Sequence, residues 1–443
     1  MFRIGLMANR IPTPGRRDVL AGLAAAALSP VLSRAVSAQG QQSIRLEARP
    51  VAMPLRHGQA PTPIWVLLAA DAPPRLKRGG ELGVIFRNGL PVPALLDWRG
   101  LDGAAAAEPL TERPPTPPGG EASFTIPLRR AGTLLCDLRL LGNSQTLPTR
   151  PLPLVIEENN PVAADRDEMF LVEDWRLKSD GMACAPGIEA KDASAPIYTV
   201  NGQVSPEIAL RSHERIRFRF INGCQRQIIA LKIDGHEVRV ISLDGAPAEP
   251  FVARDSALVL APGGRVDALI DAAASAMASE ILLHDGKEAH SLARLVPAGA
   301  GPAVRPAPLP AARPLPDDGL PARLDLAGAL RIALVLEGRE WVMPAGFSAS
   351  TPPAFKAKRG RTIVLALSNH AELATTFHLH GHHFRLLDRL DDGWKPFWLD
   401  TLAVEPGQTQ RIAFAAEFSG RWLLESSRND WAAPRLVRWF SVE

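Results

Sequence analysis

Residues 210–222 read LRSHERIRFRFIN. After a basic turn, Ile216, Phe218 and Phe220 alternate with three arginines, so apolar and charged side chains point to opposite faces of an extended chain. The alternation predicts a half-buried β-strand that ends at Asn222.

This stretch belongs to an internal repeat. The other two copies are LKRGGELGVIFRN at residues 76–88 and AKRGRTIVLALSN at residues 357–369. Each copy opens on a basic turn, alternates apolar and polar residues, and ends at an asparagine. The copies start about 130 to 150 residues apart, which is the size of one sandwich domain.

A second repeat follows each copy of the first. It begins at a Pro-Gly turn and continues into two strand-like segments, which favours antiparallel β structure. The three copies of the turn and strand are PGGEASFTIPL from Pro118, PGGRVDALIDA from Pro262 and PGQTQRIAFAA from Pro406. The apolar segments after them are GTLLCD from Gly132, SEILLHD from Ser279 and GRWLLES from Gly420.

These repeats predict an all-β chain of three similar β-sandwich domains. The 41 prolines and 35 glycines among 443 residues agree with many turns and short elements. We place the domains at residues 39–160, 165–297 and 326–443. The Pro/Ala-rich stretch 298–325 is predicted to be an extended linker.

The N-terminus resembles an export signal. Arg16 and Arg17 precede the apolar run VLAGLAAAALSPVL, and small residues at 36–38 form a cleavage site. We predict a twin-arginine-type signal over residues 1–38 and a periplasmic mature protein without a transmembrane segment. A Sec signal or a retained anchor are the alternatives, and Arg34 disfavours the Sec route.

Charge and cysteine content exclude few classes of function. A net charge of +3 gives no argument for nucleic-acid binding. The three cysteines are Cys136, Cys184 and Cys224. One disulfide is possible in an oxidising compartment, but buried thiols that act as small apolar residues are the preferred interpretation.

The stretch 377–384, FHLHGHHF, contains four of the ten histidines. In a strand, His378, His380 and His382 point to the same side, where imidazole nitrogens can ligate a metal. His382 and His383 are expected to be structural. A copper site needs further ligands from other elements.

Three sandwiches with HLHGH in the third resemble the multicopper oxidase family. Further marks are VNGQ at 200–203, LAPGGRVDALID at 260–271 and WLDTLAVEPGQ at 398–408. The resemblance covers nearly the whole mature chain. It implies cupredoxin-like Greek-key sandwiches, a blue copper in the third domain and a three-copper cluster between the first and third. The family holds these coppers with the motifs HWHG, HxH, HPxHLHGH and HCHxxxHxxxxM.

Carried over position by position, most of those ligands are replaced here. Only His378 and His380 match. The replaced positions are Asp97 and Arg99 for HWHG, Asp137 and Arg139 for HxH, and Thr375 for the histidine before HLH. In the last motif they are Glu425 and Ser427 for the flanking histidines, Ser426 for the cysteine, Trp431 for the next histidine and Leu436 for the methionine.

These replacements oppose copper binding. Arginine is always protonated and only donates hydrogen bonds, and serine does not replace the thiolate of a blue copper site. We therefore expect no copper cofactor, and at most one weakly bound copper or zinc at His378 and His380. We predict instead that Asp97, Arg99, Asp137 and Arg139 form an ion-pair network with Glu425 and the histidines, joining the first and third domains. A hydrolytic carboxylate/histidine site is the rival interpretation.

The predicted function follows from these replacements. The chain resembles the family's copper-free periplasmic cell-division protein, which implies a non-catalytic binding or scaffold role in the cell envelope or in division. Its partner would be an unknown periplasmic or envelope protein. The alternatives are a copper oxidoreductase acting on phenols or metal ions, and a periplasmic metal-binding protein without turnover.

Overall fold

The protein is described here from a computed structural model, which covers residues 42–70, 73–141, 147–189, 195–274, 277–299, 303–316, 318–388, 393 and 395–443. The predicted signal, residues 1–38, lies outside these ranges. Regular structure within them consists of β-strands and three one-turn 3-10 helices. None of the helices is long and apolar enough to cross a membrane. The predicted all-β class is confirmed.

The first sandwich contains strands β1 to β9. Its two sheets have the orders β6-β4-β1-β2-β8 and β3-β9-β7-β5. A 3-10 turn at Ala105–Ala107 lies between β5 and β6. The strands are β1 Gln42–Met53, β2 Thr62–Ala69, β3 Arg75–Lys77, β4 Glu81–Asn88, β5 Ala94–Arg99, β6 Glu121–Pro127, β7 Gly132–Leu140, β8 Thr149–Arg150 and β9 Leu152–Glu157.

The second sandwich contains β10 to β20, with sheet orders β11-β10-β13-β18-β15-β16 and β12-β20-β19-β14-β17. A 3-10 turn lies at Arg254–Ser256. The strands are β10 Arg166–Trp175, β11 Ile197–Val200, β12 Glu207–Leu210, β13 Arg215–Asn222, β14 Ile229–Ile233, β15 Val238–Leu243, β16 Ala246–Val252, β17 Ala257–Leu260, β18 Arg265–Asp271, β19 Ser279–His284 and β20 Ala289–Pro297.

The third sandwich contains β21 to β29, with sheet orders β21-β23-β27-β25 and β22-β29-β28-β24-β26. A 3-10 turn lies at Pro344–Gly346. The strands are β21 Leu330–Val335, β22 Lys356–Ala357, β23 Thr362–Ser368, β24 Thr375–Leu379, β25 Arg385–Leu387, β26 Thr401–Val404, β27 Thr409–Ala415, β28 Gly420–Arg428 and β29 Arg435–Val442.

The sequence repeat corresponds to one strand arrangement used three times. The repeated strands β4, β13 and β23 each pair in parallel with the first strand of their sandwich, β1, β10 or β21. Each also pairs antiparallel with the strand after the Pro-Gly turn, β6, β18 or β27. The predicted strand repeats are therefore confirmed.

The asparagine that ends each copy has a structural reason. Asn88, Asn222 and Asn369 are all buried, and each side-chain amide donates to two backbone carbonyl oxygens at 2.8–2.9 Å. Each side-chain oxygen accepts the N–H of the residue two positions later. An apolar residue would leave these buried backbone groups unpaired, so the amide holds the loop after the strand in place.

The prediction that β13 is half-buried is wrong. All eight of its residues are buried, and Arg217 and Arg219 are 2% and 1% exposed. Both guanidinium groups bond Asp267, and Arg219 also donates to Thr133 of the first sandwich. The arginine face of β13 packs against the first sandwich. Burial of these arginines is tolerated because their charges are paired, whereas unpaired buried charges would be strongly destabilising.

Each sandwich has its own apolar core. The three cysteines are buried, as preferred from the sequence, and form no disulfide with one another; Cys136 and Cys224 lie in the first and second cores. Described residues of the stretch 298–325 form no helix or strand. Arg215 of β13 donates to the carbonyl oxygens of Leu309 and Pro310, so part of this stretch lies against the second sandwich.

Candidate functional site

Charged side chains meet between the first and third sandwiches. In the first, β5 carries Asp97 and β7 carries Asp137, and these two residues are direct partners across the strand pair. In the third, His378 of β24 is the direct partner of Glu425 of β28. Because partners and residues two positions apart share a face, each sheet presents one charged row to the other.

The two rows are joined by ion pairs. Arg139 Nη2 lies 2.7 Å from Asp97 Oδ2 and also contacts Glu425 Oε1. Arg99 Nη2 donates to Glu425 Oε2 at 3.0 Å. Arg99 and Arg139 are only 6% and 3% exposed. The ion-pair network predicted between the first and third domains is present.

His380 lies among carboxylates. It follows β24 in the turn, and its Nε2 is 3.1 Å from Glu425 Oε1 and 3.8 Å from Asp97 Oδ1. Its Nδ1 is 2.9 Å from Glu108 Oε1. The same Glu108 oxygen accepts the backbone N–H of Leu423, so Glu108 holds both the histidine and β28.

His378 has a different environment. Its Nδ1 is 2.9 Å from the carbonyl oxygen of Asp400, which only accepts, so Nδ1 carries the proton and Nε2 keeps its lone pair. Its ring centroid is 4.7 Å from that of His380. Burial, and then the Arg99 cation, hold the pKa of His378 well below its ordinary value, so the ring is neutral.

The charges at the centre are set by their neighbours. Burial alone would raise the pKa of Asp97, but Arg139 and His380 hold it well below its usual range, so Asp97 is ionised. Burial lowers the pKa of Arg99, and Asp97 opposes that effect. The space between the first and third sandwiches, called the cavity below, therefore contains paired charges at neutral pH.

Three atoms of this group have the spacing of metal ligands. Asp97 Oδ1, His380 Nε2 and Glu425 Oε1 lie within 4.8 Å of one another and are buried. None has a hydrogen-bond partner of acceptable geometry among the described residues, and His378 Nε2 has none either. Carboxylate oxygen and imidazole nitrogen suit zinc, copper or iron, although Arg139 contacts the same Glu425 oxygen.

The last two histidines of the motif are structural, as expected. The ring of His382 lies 5.2–5.9 Å from four aromatic rings, and its pKa is lowered to about 4 by burial. His383 Nδ1 donates to Asp102 Oδ1 at 2.8 Å, and its Nε2 is 3.0 Å from the carbonyl oxygen of Asp244. His383 therefore joins the third sandwich to the first and the second.

Other predicted positions lie at the edge of this group of charges or outside it. Asp137 bonds Arg435 Nη1 at 3.0 Å, at the edge of the group. Thr375 donates to Asn369, and Ser426 Oγ donates to the carbonyl oxygen of Leu336. Ser427 of β28 is the cross-strand partner of Arg435. The ring of Trp431 is 5.2 Å from the Arg176 guanidinium, and Leu436 packs on the third core and pairs with Ser426.

Sequence reasoning missed Glu108, Asp400 and Arg435. Glu108 follows the alanine run 104–107 in a loop without strand alternation, so no local signal pointed to it. Asp400 lies inside the quoted stretch 398–408, yet its pairing with Arg265 at 2.7 Å depends on a segment 135 residues away. Only the folded chain brings these groups together.

Models of a family described as multicopper oxidase match residues 167–281 and 327–443, which together are just over half of the chain. No match to a curated protein sequence was found.

Solved multicopper oxidases share the fold. The crystal structure of a multi-copper oxidase from Pseudomonas thermotolerans has a TM-score of 0.76 and 24% identity, covering 91% of this chain and 100% of that one. Lac15 from a marine microbial metagenome has a TM-score of 0.73 and 24% identity, covering 91% of this chain and 100% of that one. A laccase-like multi-copper oxidase, CueO, from the lignin-degrading bacterium Ochrobactrum sp. has a TM-score of 0.71 and 18% identity, covering 90% of this chain and 97% of that one. At these identities the likeness establishes the fold.

Proposed function

Since the chain belongs to the multicopper oxidase family, we propose that it is an exported, non-catalytic member that has lost most of the copper ligands and acts as a binding or scaffold protein of the cell envelope. The observation that carries this proposal is the contact of Arg139 with both Asp97 and Glu425 in the cavity between the first and third sandwiches.

The donor set around that cavity does not fit a three-copper cluster. Such a cluster needs many neutral imidazoles, whereas two guanidinium groups, Arg99 and Arg139, occupy this space and donate to carboxylates. A guanidinium has no lone pair to offer and repels a cation. His378 and His380 are the two imidazoles whose rings approach each other here.

The third sandwich also lacks the donors of a blue copper ion, which needs a thiolate with two imidazoles. The side chain of Ser426, at the matching position, donates to a backbone carbonyl, and Leu436 lies opposite it. The thiols of Cys136 and Cys224 lie in the cores of the other two sandwiches. Electron transfer through a sulfur–copper bond has no basis in these residues.

Two features of the sequence support the envelope role. The twin arginines and apolar run of residues 1–38 predict export, with a mature chain that starts near Gln39. The family's copper-free periplasmic cell-division protein, which this chain resembles, combines the same kind of signal with missing copper ligands. The proposed partner is a periplasmic or envelope protein.

The proposal is tested by oxygen consumption. The mature chain is incubated with excess Cu²⁺, freed of loosely bound metal, and supplied with a phenol or with an oxidisable metal ion. We expect no oxygen uptake above that of buffer with the same residual copper. Sustained uptake that scales with protein concentration would overturn the proposal.

Metal binding without turnover is a second candidate function. It is favoured by the close spacing of the buried ligand atoms of Asp97, His380 and Glu425, which have no hydrogen bond of acceptable geometry within the described part of the chain. The neutral His378 beside them favours it as well. An ion bound there would have to displace Arg139 from Glu425. Binding of one Zn²⁺ or Cu²⁺, abolished in His378→Ala and His380→Ala but kept in the distant His236→Ala, would establish this function. Equal binding in all three variants would exclude it.

A further inference from the structure

A cleft lies where all three sandwiches meet, next to the ion pairs but open to solvent. It has a volume of about 370 Å³, within the range of small-molecule pockets. The first sandwich contributes Arg139, the second contributes Arg226 and Ile188, and the third contributes Met343 and Arg435. Three of these five side chains are arginines, although the chain as a whole is nearly neutral.

The three guanidinium groups differ in whether a carboxylate neutralises their positive charge. Arg139 is paired with Asp97 and Glu425 in the cavity, and Arg435 is paired with Asp137 at 3.0 Å. Within the described part of the chain, no carboxylate lies within ion-pair distance of Arg226. Its side chain donates instead to the carbonyl oxygens of Ala433 and Gln225, at 2.8 and 2.7 Å.

Among the described residues, Arg226 is therefore a buried cation without a paired anion. The residue is 6% exposed. Burial, and then the neighbouring Arg435 cation, lower the pKa of Arg226 to about 9. The carboxyl groups of Asp174 and Asp137 act on it only from beyond ion-pair distance. Keeping such a cation costs folding free energy unless a negative charge is supplied.

The rest of the cleft is suited to an apolar group. Ile188 is 53% exposed and Met343 is 58% exposed, and both line the opening. Prolines 186, 344 and 434 line it as well. Exposed apolar side chains beside a buried cation form the kind of pocket that takes an amphiphilic anion, since a few polar groups orient the ligand and apolar walls cover it.

We propose that this cleft binds a small organic anion, with its carboxylate or phosphate group between Arg226 and Arg435 and its apolar body against Ile188 and Met343. Guanidinium groups bind both kinds of oxyanion through paired, charge-assisted hydrogen bonds. The residues that hold the anion come from the second and third sandwiches, and the site does not depend on a metal or on the proposed scaffold role.

The test is isothermal titration of the mature chain with three probes at one ionic strength. These are benzoate, which has both features, inorganic phosphate, which has only the anionic one, and benzyl alcohol, which lacks the charge. We expect saturable binding of benzoate, weaker binding of phosphate and none of benzyl alcohol. Phosphate binding tighter than that of benzoate would overturn the apolar part of the proposal, and absence of saturable binding by both anions would overturn all of it.

Variants locate the site. Arg435→Gln and Arg226→Gln should each weaken benzoate binding about 10-fold or more, the size of a lost charge-assisted hydrogen bond. The matched control is Arg294→Gln, whose guanidinium is 50% exposed and paired with Glu207 away from the cleft. If Arg226→Gln does not fold, Arg435→Gln decides alone. Unchanged affinity in Arg435→Gln would place the binding elsewhere.

Discussion

Two adjacent histidines show how strongly local surroundings determine the properties of one residue type. His382 is enclosed by aromatic rings, whereas His383 bonds the carboxylate of Asp102. Burial opposes protonation of both, but for His383 the charge and hydrogen bond of Asp102, together with the charge of Asp400, outweigh burial and raise the pKa to about 9. The last two histidines of the HLHGHHF motif therefore differ, because His382 is neutral and His383 is cationic, and they have separate structural roles.

The His383–Asp102 pair predicts a pH-dependent stability. Because the pKa of His383 is raised from about 6.5 in the unfolded chain to about 9 in the folded chain, its contribution is complete below pH ~6.5 and is lost as the pH rises through about 9. His383→Gln should lose on the order of 2 kcal/mol more stability at pH 7 than at pH 10. Urea unfolding at both values measures this difference.

The control is His236→Gln, since burial lowers the pKa of His236 and this group stays neutral over that range. Its stability relative to the parent should be the same at both pH values. A deficit of His383→Gln that is equal at pH 7 and pH 10 would contradict a charged His383.

The Arg139 guanidinium is expected to be the most costly of the cavity residues to remove. Its side chain is 2% exposed, and Arg139→Gln leaves Asp97 and Glu425 facing each other without their shared cation. Loss of one partner of a buried ion pair costs about 3–5 kcal/mol. The exposed pair of Arg294 with Glu207 provides the comparison, and Arg294→Gln should cost less than about 1 kcal/mol. Equal costs in denaturant unfolding would mean that the cavity charges are screened by solvent.

At the level of the elements, the turn after β24 determines where His380 lies. Gly381 has a φ of +68°, and a Cβ there would lie 2.2 Å from two ring carbons of Trp422. The carbonyl oxygen of Gly381 accepts the N–H of Gly103 from the first sandwich. Backbone conformation, packing and contact between sandwiches all depend on this glycine, which places His380 beside Glu108 and Glu425.

Gly381→Ala should destabilise the protein through both the backbone and the overlap with Trp422. The control, Gly360→Ala, has a similar φ of +79° but open space around its Cβ, so it carries the backbone cost alone. That cost is about 1–2 kcal/mol, and overpacking adds about 1–3 kcal/mol. Thermal unfolding of both variants measures the difference, and equal destabilisation would show that Trp422 yields without cost.

The strands show which structural features can be predicted from the sequence and which cannot. The repeats predicted β4, β13 and β23 because alternation and a terminal asparagine are local features. The burial of Arg217 could not be predicted in the same way, since it depends on Asp267 and on Glu158, which is 59 residues away. In the candidate site, the Asp-x-Arg pairs are predicted by position, whereas Glu108 belongs to a loop without a pattern, as does Arg226 of the neighbouring cleft.

At the level of the whole molecule, buried arginines join every pair of sandwiches. Arg219 links the second to the first through Thr133, Arg265 links the second to the third through Asp400 at 2.7 Å, and Arg99 links the first to the third through Glu425. The last contact lies in the space where the family resemblance places a three-copper cluster. We infer that ion pairs provide the cohesion there that metal–ligand bonds provide in relatives that bind copper.

The central claim is that ion pairs take the place of the copper ions in this chain. Copper content together with the visible absorption spectrum tests that claim most directly. The mature chain is loaded with excess Cu²⁺ and desalted, and the Pseudomonas thermotolerans multi-copper oxidase is treated in parallel as the positive control. The account predicts at most one copper per chain and no intense thiolate-to-copper band. A full copper complement with a blue absorption band would contradict it.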